Sequence, residues 1–85
     1  MVTFSCKVNN PGGMPAKIAG LLVEKATLCS GDVLIRNGEK TGNAKLIFNV
    51  LCLSVKCGDE LEFTVEGGNE AEDAEMLKNY LTELL

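Results

Sequence analysis

The side chains with the most chemical reach in this 85-residue chain are four cysteines, Cys6, Cys29, Cys52 and Cys57. They could pair as two disulfides in three connectivities, ligate a metal or act as nucleophiles. Their setting speaks against each. Cys52 and Cys57 enclose four residues rather than the two of a CxxC motif, and a zinc site would need all four thiols because the chain has no histidine. The same absence removes Ser-His-Asp and Cys-His catalysis, histidine metal ligation and phosphotransfer through histidine. No base is placed to activate a serine or threonine. Cys6 alternates with Val2, Phe4 and Val8 and reads as a core position. Cys29 closes a predicted helix, where the dipole disfavours a thiolate. The thiols are expected chiefly as small hydrophobes, although labelling of one of Cys29, Cys52 or Cys57 at neutral pH well before the others would revive a thiol-based role. No cofactor or metal is expected, and the chain reads as a binding module rather than an enzyme.

Charge separates along the chain. Residues 1–45 carry six basic and three acidic side chains, a balance of +3, and residues 46–85 carry two basic and nine acidic, a balance of −7. The net charge of −4 disfavours nucleic acid, which calls for a dense basic surface. An acidic protein touching the basic half is the easier partner. The longest apolar run, Val50-Leu51-Cys52-Leu53, is far short of the ~20 residues of a membrane span. Met1-Val2-Thr3-Phe4 lacks the basic and apolar regions of a secretory leader, so a cytoplasmic protein is expected. The length suits a single domain, 1–85, with a stability of roughly 3–5 kcal/mol from one core.

Several short elements would have to position these residues. Residues 2–8 alternate apolar and polar and form a half-buried strand. Asn9-Asn10-Pro11-Gly12-Gly13 is a loop, and Pro15 suits the first position of a helix over 15–28 built on Ile18, Ala19, Leu22, Val23 and Ala26. Ser30-Gly31 ends it. Val33-Leu34-Ile35 is a strand, and Asn37-Gly38 turns it into another at 40–43. Alternation fails from Lys45 to Leu53, which suits a two-turn helix. Residues 60–66 alternate again, with an acidic outer face. Asn69 then caps a last helix in a capping-box-like pair with Glu72, its first turn holding Glu70, Glu72 and Asp73, its stripe Ala74, Leu77, Leu81 and Leu84 beside Tyr80. The order β-α-β-β-α-β-α implies an α+β fold, a four-stranded antiparallel sheet with helices on one face. Pattern alone leaves the strand order open.

Along its whole length the chain resembles HPr, the histidine-containing phosphocarrier family of the bacterial sugar phosphotransferase system. The resemblance is carried by Gly12-Gly13-Met14 leading into the first helix, Ala19 and Val23 within it, and Asn43-Ala44-Lys45. Phe48, the stretch from Leu53 to Gly58, Val65-Glu66-Gly67 and a Gly-x-Glu-type entry to the last helix add to it. It implies an open-faced β-sandwich, strand order 1-4-2-3, with three helices on one side. It also implies departures. The phospho-acceptor histidine position is occupied by Pro15, the phosphate-clamping arginine by Lys17, the following proline by Ile18, and the regulatory serine of Gram-positive members by Leu46. The catabolite repression HPr-like protein is a family precedent that lacks the histidine but keeps the serine.

What the resemblance leaves is a docking surface on the first two helices. Met14, Leu46, Ile47, Phe48 and Leu51 are its apolar candidates, and Lys17, Lys40 and Lys45 its basic rim; Ile47 and Leu51 could equally serve the core. The function implied is a degenerate, non-phosphorylated regulatory or adaptor protein whose partner is a protein such as a transcription factor, kinase or metabolic enzyme. It would be a monomer or weak homodimer with no nucleic-acid or membrane partner. The alternative is a small anion or phospho-ligand site at the start of the first helix, at Gly13, Ala16 and Lys17.

Overall fold

The structure, a computed structural model, describes residues 1–85. Strand β1 (Val2–Lys7) is followed by α1 (Ala16–Ala26), β2 (Asp32–Asn37), β3 (Lys40–Asn43), α2 (Ile47–Leu51), β4 (Glu60–Glu66) and α3 (Glu70–Leu84). The strands form one antiparallel sheet in the order β1-β4-β2-β3, as the resemblance implies. Register follows from the period of two. Phe4, Cys6, Val33, Ile35, Leu61, Phe63 and Val65 turn to the helices and are buried. Thr3, Arg36, Glu62 and Thr64 turn to the open face, where Arg36 meets Glu62 at 3.1 Å and the Thr3 and Thr64 hydroxyls lie 3.4 Å apart. A slip of one residue would invert both sets.

The helices cover the inner face with the predicted stripes. α1 buries Ala19, Leu22 and Ala26, α2 buries Val50, and α3 buries Ala74, Leu77 and Leu81. With the strand residues they form a single cluster of 19 buried apolar side chains. Phe4 and Phe63, directly paired across β1 and β4, stack with ring centroids 5.2 Å apart.

Element ends differ from expectation where local hydrogen bonds decide them. Pro15 is the N-cap of α1, not its first helical residue; its extended backbone (φ −65°, ψ 164°) leaves Ala16 to start the helix. Residues 27–29 lie outside α1 in a turn, with the N–H groups of Leu28 and Cys29 bonded to the carbonyls of Lys25 and Ala26. β2 outgrows the expected 33–35 because β4 pairs it from Asp32 onward. α2 is shorter than Lys45–Leu53, since Asn43 Oδ1 accepts the Lys45 N–H at 2.9 Å and holds that residue in a turn. The expected Asn69–Glu72 capping pair does not form: Asn69 makes no side-chain cap. Glu70 Oε2 accepts the Gly67 N–H instead, and Asp73 Oδ2 accepts both the N–H and the hydroxyl of Ser30, so α3 is fastened to preceding loops.

Phe63→Ala should remove about 3–5 kcal/mol, comparable to the whole stability of a domain this size. Its cooperative urea transition should be nearly lost, whereas Ser5→Ala on the open face should shift stability by less than about 0.5 kcal/mol. Glu70 gives a pH dependence. Its carboxylate lies 2.7 Å from the Met1 amino group and accepts the Gly67 N–H, and these bonds hold its pKa below the ordinary 4.5. A lowered folded-state pKa contributes stability above the unfolded value, lost as pH falls through the folded one. The melting-temperature difference between the native chain and Glu70→Gln should therefore be present at neutral pH and disappear on acidification below 4.5.

Candidate functional site

The surface around α1 and α2 begins with a backbone constraint. Asn10 organises the entering loop, its side chain accepting the Gly12 N–H at 3.1 Å and its carbonyl the Gly13 N–H at 2.9 Å. Gly13 is left-handed (φ +74°), and a Cβ there would stand 2.5 Å from the Val55 carbonyl oxygen and 3.1 Å from Lys56 Cα. Only glycine lets the loop before α1 lie so close to the loop before β4. Within α1, the first N–H bonded inside the helix is that of Ala19, to the Pro15 carbonyl at 3.0 Å. The N–H groups of Ala16, Lys17 and Ile18 therefore point out of the helix end. Gly13 does not join them, because its N–H is taken by Asn10; of the expected anion-site residues only Ala16 and Lys17 present free backbone donors. Pro15, exposed at the cap, offers no nucleophile and no N–H.

α2 is held against the sheet edge. Asn49 Oδ1 accepts the Asn43 N–H at 3.2 Å, and Gly42 packs against Asn49 so tightly that a Cβ would be 3.1 Å from its side chain. From this short platform Phe48 projects with 77% of its surface exposed, flanked by exposed Leu46 and Leu51. Met14 and Ile47 are half-buried and pack on the core, so they border the patch and anchor it. Leu46 is the N-cap of α2 and makes no side-chain cap, a role that serine fills well and leucine cannot.

The three rim lysines behave differently. Lys17 is exposed and makes no ion pair. Lys40 reaches the Ser54 hydroxyl at 3.4 Å. Lys45 is partly buried, and its ammonium donates to the Cys29 carbonyl at 2.9 Å, so it ties α2's leading turn to the end of α1 rather than standing free at the rim. Two features escaped sequence reading. A shallow groove of about 400 Å³ beside Phe48 is lined also by Thr41, Asn49 and Cys52. Lys56 is brought beside the start of α1 by the Gly13 contact. Neither has a local sequence signal, since both depend on tertiary packing.

All four cysteines are free thiols; Cys6 and Cys29 are buried, Cys52 and Cys57 exposed. Burial pushes the Cys29 pKa up, Asp73 adds to this, and Lys45 opposes it. A thiolate is disfavoured there mainly by desolvation, and α1 ends at Ala26, three residues before Cys29.

The chain matches the family model "PTS HPr component phosphorylation site" over residues 2–83. The chain belongs to the HPr family. It is 37% identical to the phosphocarrier protein HPr of Lysinibacillus sphaericus over 84 residues, covering 99% of this chain and 96% of that one. An HPr structure from Thermoanaerobacter tengcongensis superposes with a TM-score of 0.91 at 26% identity, covering 99% of this chain and 94% of that one. The Bacillus subtilis catabolite repression protein Crh, solved as an intertwined domain-swapped dimer, is 32% identical, covers 100% of this chain and 98% of that one, and gives a TM-score of 0.76. HPr proteins are phosphocarriers and regulators of the phosphotransferase system, not enzymes. This HPr-family chain has no histidine to phosphorylate. No helix is long and apolar enough to cross a membrane.

In the folded chain, thiol titration with a chromogenic disulfide at neutral pH should modify Cys52 and Cys57 promptly. Cys6 and Cys29 should react only after denaturation.

Proposed function

We propose that this HPr-family member acts without carrying phosphate, as a single-domain cytoplasmic regulatory or adaptor protein that docks a partner protein through α1 and α2. The observation that carries this reading is Phe48, three-quarters exposed between Leu46 and Leu51 on a helix whose remaining apolar side chains are partly or wholly buried. An isolated exposed leucine needs no explanation, but a phenylalanine beside two leucines, with cations nearby, has the make-up of an interface centre and rim. Lys17 and Lys40 lack carboxylate partners within the chain and remain available to an acidic surface. Aligned with the family pattern, Pro15 occupies the phospho-acceptor position and Leu46 the regulatory serine position. A phosphoryl switch at either is then chemically closed, and Leu46 adds apolar area where the family would place a modifiable hydroxyl. The partner would be an acidic protein such as a transcription factor, a kinase or a metabolic enzyme.

The test is capture from the lysate of the source cell, with the native chain compared with Phe48→Asp and Ile47→Asp, each checked for native circular dichroism. A partner retained by the native chain should be lost with both variants, and Phe48→Asp should weaken the purified complex by about 30-fold or more, the scale of a hot spot. Lys17→Glu should slow association and flatten its dependence on salt. Equal retention by the native chain and the variants would overturn the reading.

A further inference from the structure

The hollow beside Phe48 does not end at Leu53. A second one, of about 430 Å³, opens on the other side of Lys40 and Leu53, which line both. Together they form one groove along the β3 side of α2, running from Phe48 to the loop before β4. Its size is that of a small-molecule site, about 300–1,000 Å³. The two ends differ in chemistry. Phe48 gives the first an exposed aromatic ring, and Asn49 stands beside it. Asn49 Oδ1 is engaged with the Asn43 N–H at 3.2 Å, which leaves its amide N–H groups as free donors.

The second hollow holds cations without pairing them. Lys40 and Lys56 both line it, and so do Glu39 and Asp59, yet no lysine–carboxylate pair forms there. Asp59 is fixed in the wall by neutral donors: its Oδ2 accepts the Lys56 N–H at 2.8 Å and an amide N–H of Asn37 at 3.2 Å. Glu39 lies exposed in the β2–β3 turn. Lys40 Nζ donates to the Ser54 hydroxyl oxygen at 3.4 Å, so the hydroxyl hydrogen and the other ammonium hydrogens remain to be donated. Ser54 is itself an exception. At φ +52° it is the one non-glycine residue in the left-handed region. Glycine would adopt that backbone without strain, but only a side chain can set a hydroxyl next to Lys40.

We propose that this groove binds a nucleoside monophosphate, its base stacked on Phe48 and its phosphate held by Lys40 and the Ser54 hydroxyl. Every base offers a π-face to an exposed aromatic side chain, and the Asn49 amide can donate to acceptors on the base edge. The ribose lies across Leu53, where the two hollows join. The phosphate then stands at Lys40, common to both, with Lys56 adding positive charge. One phosphate is the limit. The two lysines and two carboxylates of the second hollow sum to zero, and a longer phosphate chain would run on towards Glu39 and Asp59. The start of α1 is not involved, since none of its residues lines either hollow. Phe48 and Lys40 also stand on the proposed docking surface, so nucleotide and partner would compete, but the nucleotide site is complete within the isolated chain.

Titration of the isotope-labelled chain with adenosine monophosphate, followed by backbone amide NMR shifts, tests the proposal. Saturable shifts should appear at Thr41, Phe48, Asn49, Leu53 and Ser54, and not along β1. Phe48→Ala should weaken binding about tenfold, the scale of one stacked base. Lys40→Gln and Ser54→Gly should each weaken it roughly fivefold, the glycine variant with no loss of stability. Lys7→Gln, at the opposite edge of the sheet, should leave it unchanged. Adenosine and inorganic phosphate should each bind about tenfold more weakly than the monophosphate, and adenosine triphosphate without magnesium should also bind more weakly. The absence of saturable shifts, equal binding of inorganic phosphate or adenosine, tighter binding of the triphosphate, or shifts centred on Ala16 and Lys17 would each overturn the proposal.

Discussion

Everything in this fold leans on β4. It is the only strand whose two long neighbours, β1 and β2, are both paired along nearly its whole length, and its Leu61, Phe63 and Val65 are completely buried. The helices have no other floor. α3 lies over β1 and β4, and the stacking of Phe63 on Phe4 joins the first and sixth elements of the chain. Because β4 arrives late in the sequence, β1 cannot be paired until most of the chain is in place. The mean separation of contacts is therefore long, a property that slows folding in domains of this size.

Most of this architecture was legible because the two periodicities in the sequence are clean. Val2, Phe4 and Cys6, and again Leu61, Phe63 and Val65, alternate without error, and Ala19, Leu22 and Ala26 mark one face of a helix. Asn37-Gly38 placed a turn, and β3 follows it over residues 40–43 as expected. Strand order was not readable from pattern and came from the family resemblance. Element ends were the weak point for a physical reason: they are decided by single hydrogen bonds from side chains with several choices. Asn43 and Asn49 hold each other's surroundings, and Asp73 reaches Ser30 across 43 positions, where local capping rules would keep the first turn of α3 self-contained.

The surface of α1 and α2 was legible in residue type and less so in role. Phe48 and Leu46 stand out because apolar side chains there break the helical stripe, and the structure exposes both. Lys45 looked the same in sequence as Lys17 and Lys40, yet its ammonium is spent on the carbonyl of Cys29. Nothing in a lysine's local sequence tells whether a carbonyl 16 residues away will be within reach. The absence of chemistry was plainer than its presence. A chain with no histidine has no imidazole on which to carry a phosphoryl group.

The five residues of α2 could not hold a helix in isolation, where even favourable sequences need about 12–15. Its order is borrowed from the Asn43–Asn49 bond, from Val50 in the core and from the packing of Gly42 beneath it. That loan has a thermodynamic consequence. The backbone under Leu46, Phe48 and Leu51 loses its conformational entropy when the chain folds, not when something lands on it. A molecule meeting this surface has only side-chain rotamers left to immobilise, about 0.5–1.5 kcal/mol for each flexible one. A partner docking there, as proposed above, would meet a preorganised template rather than a segment that folds as it binds.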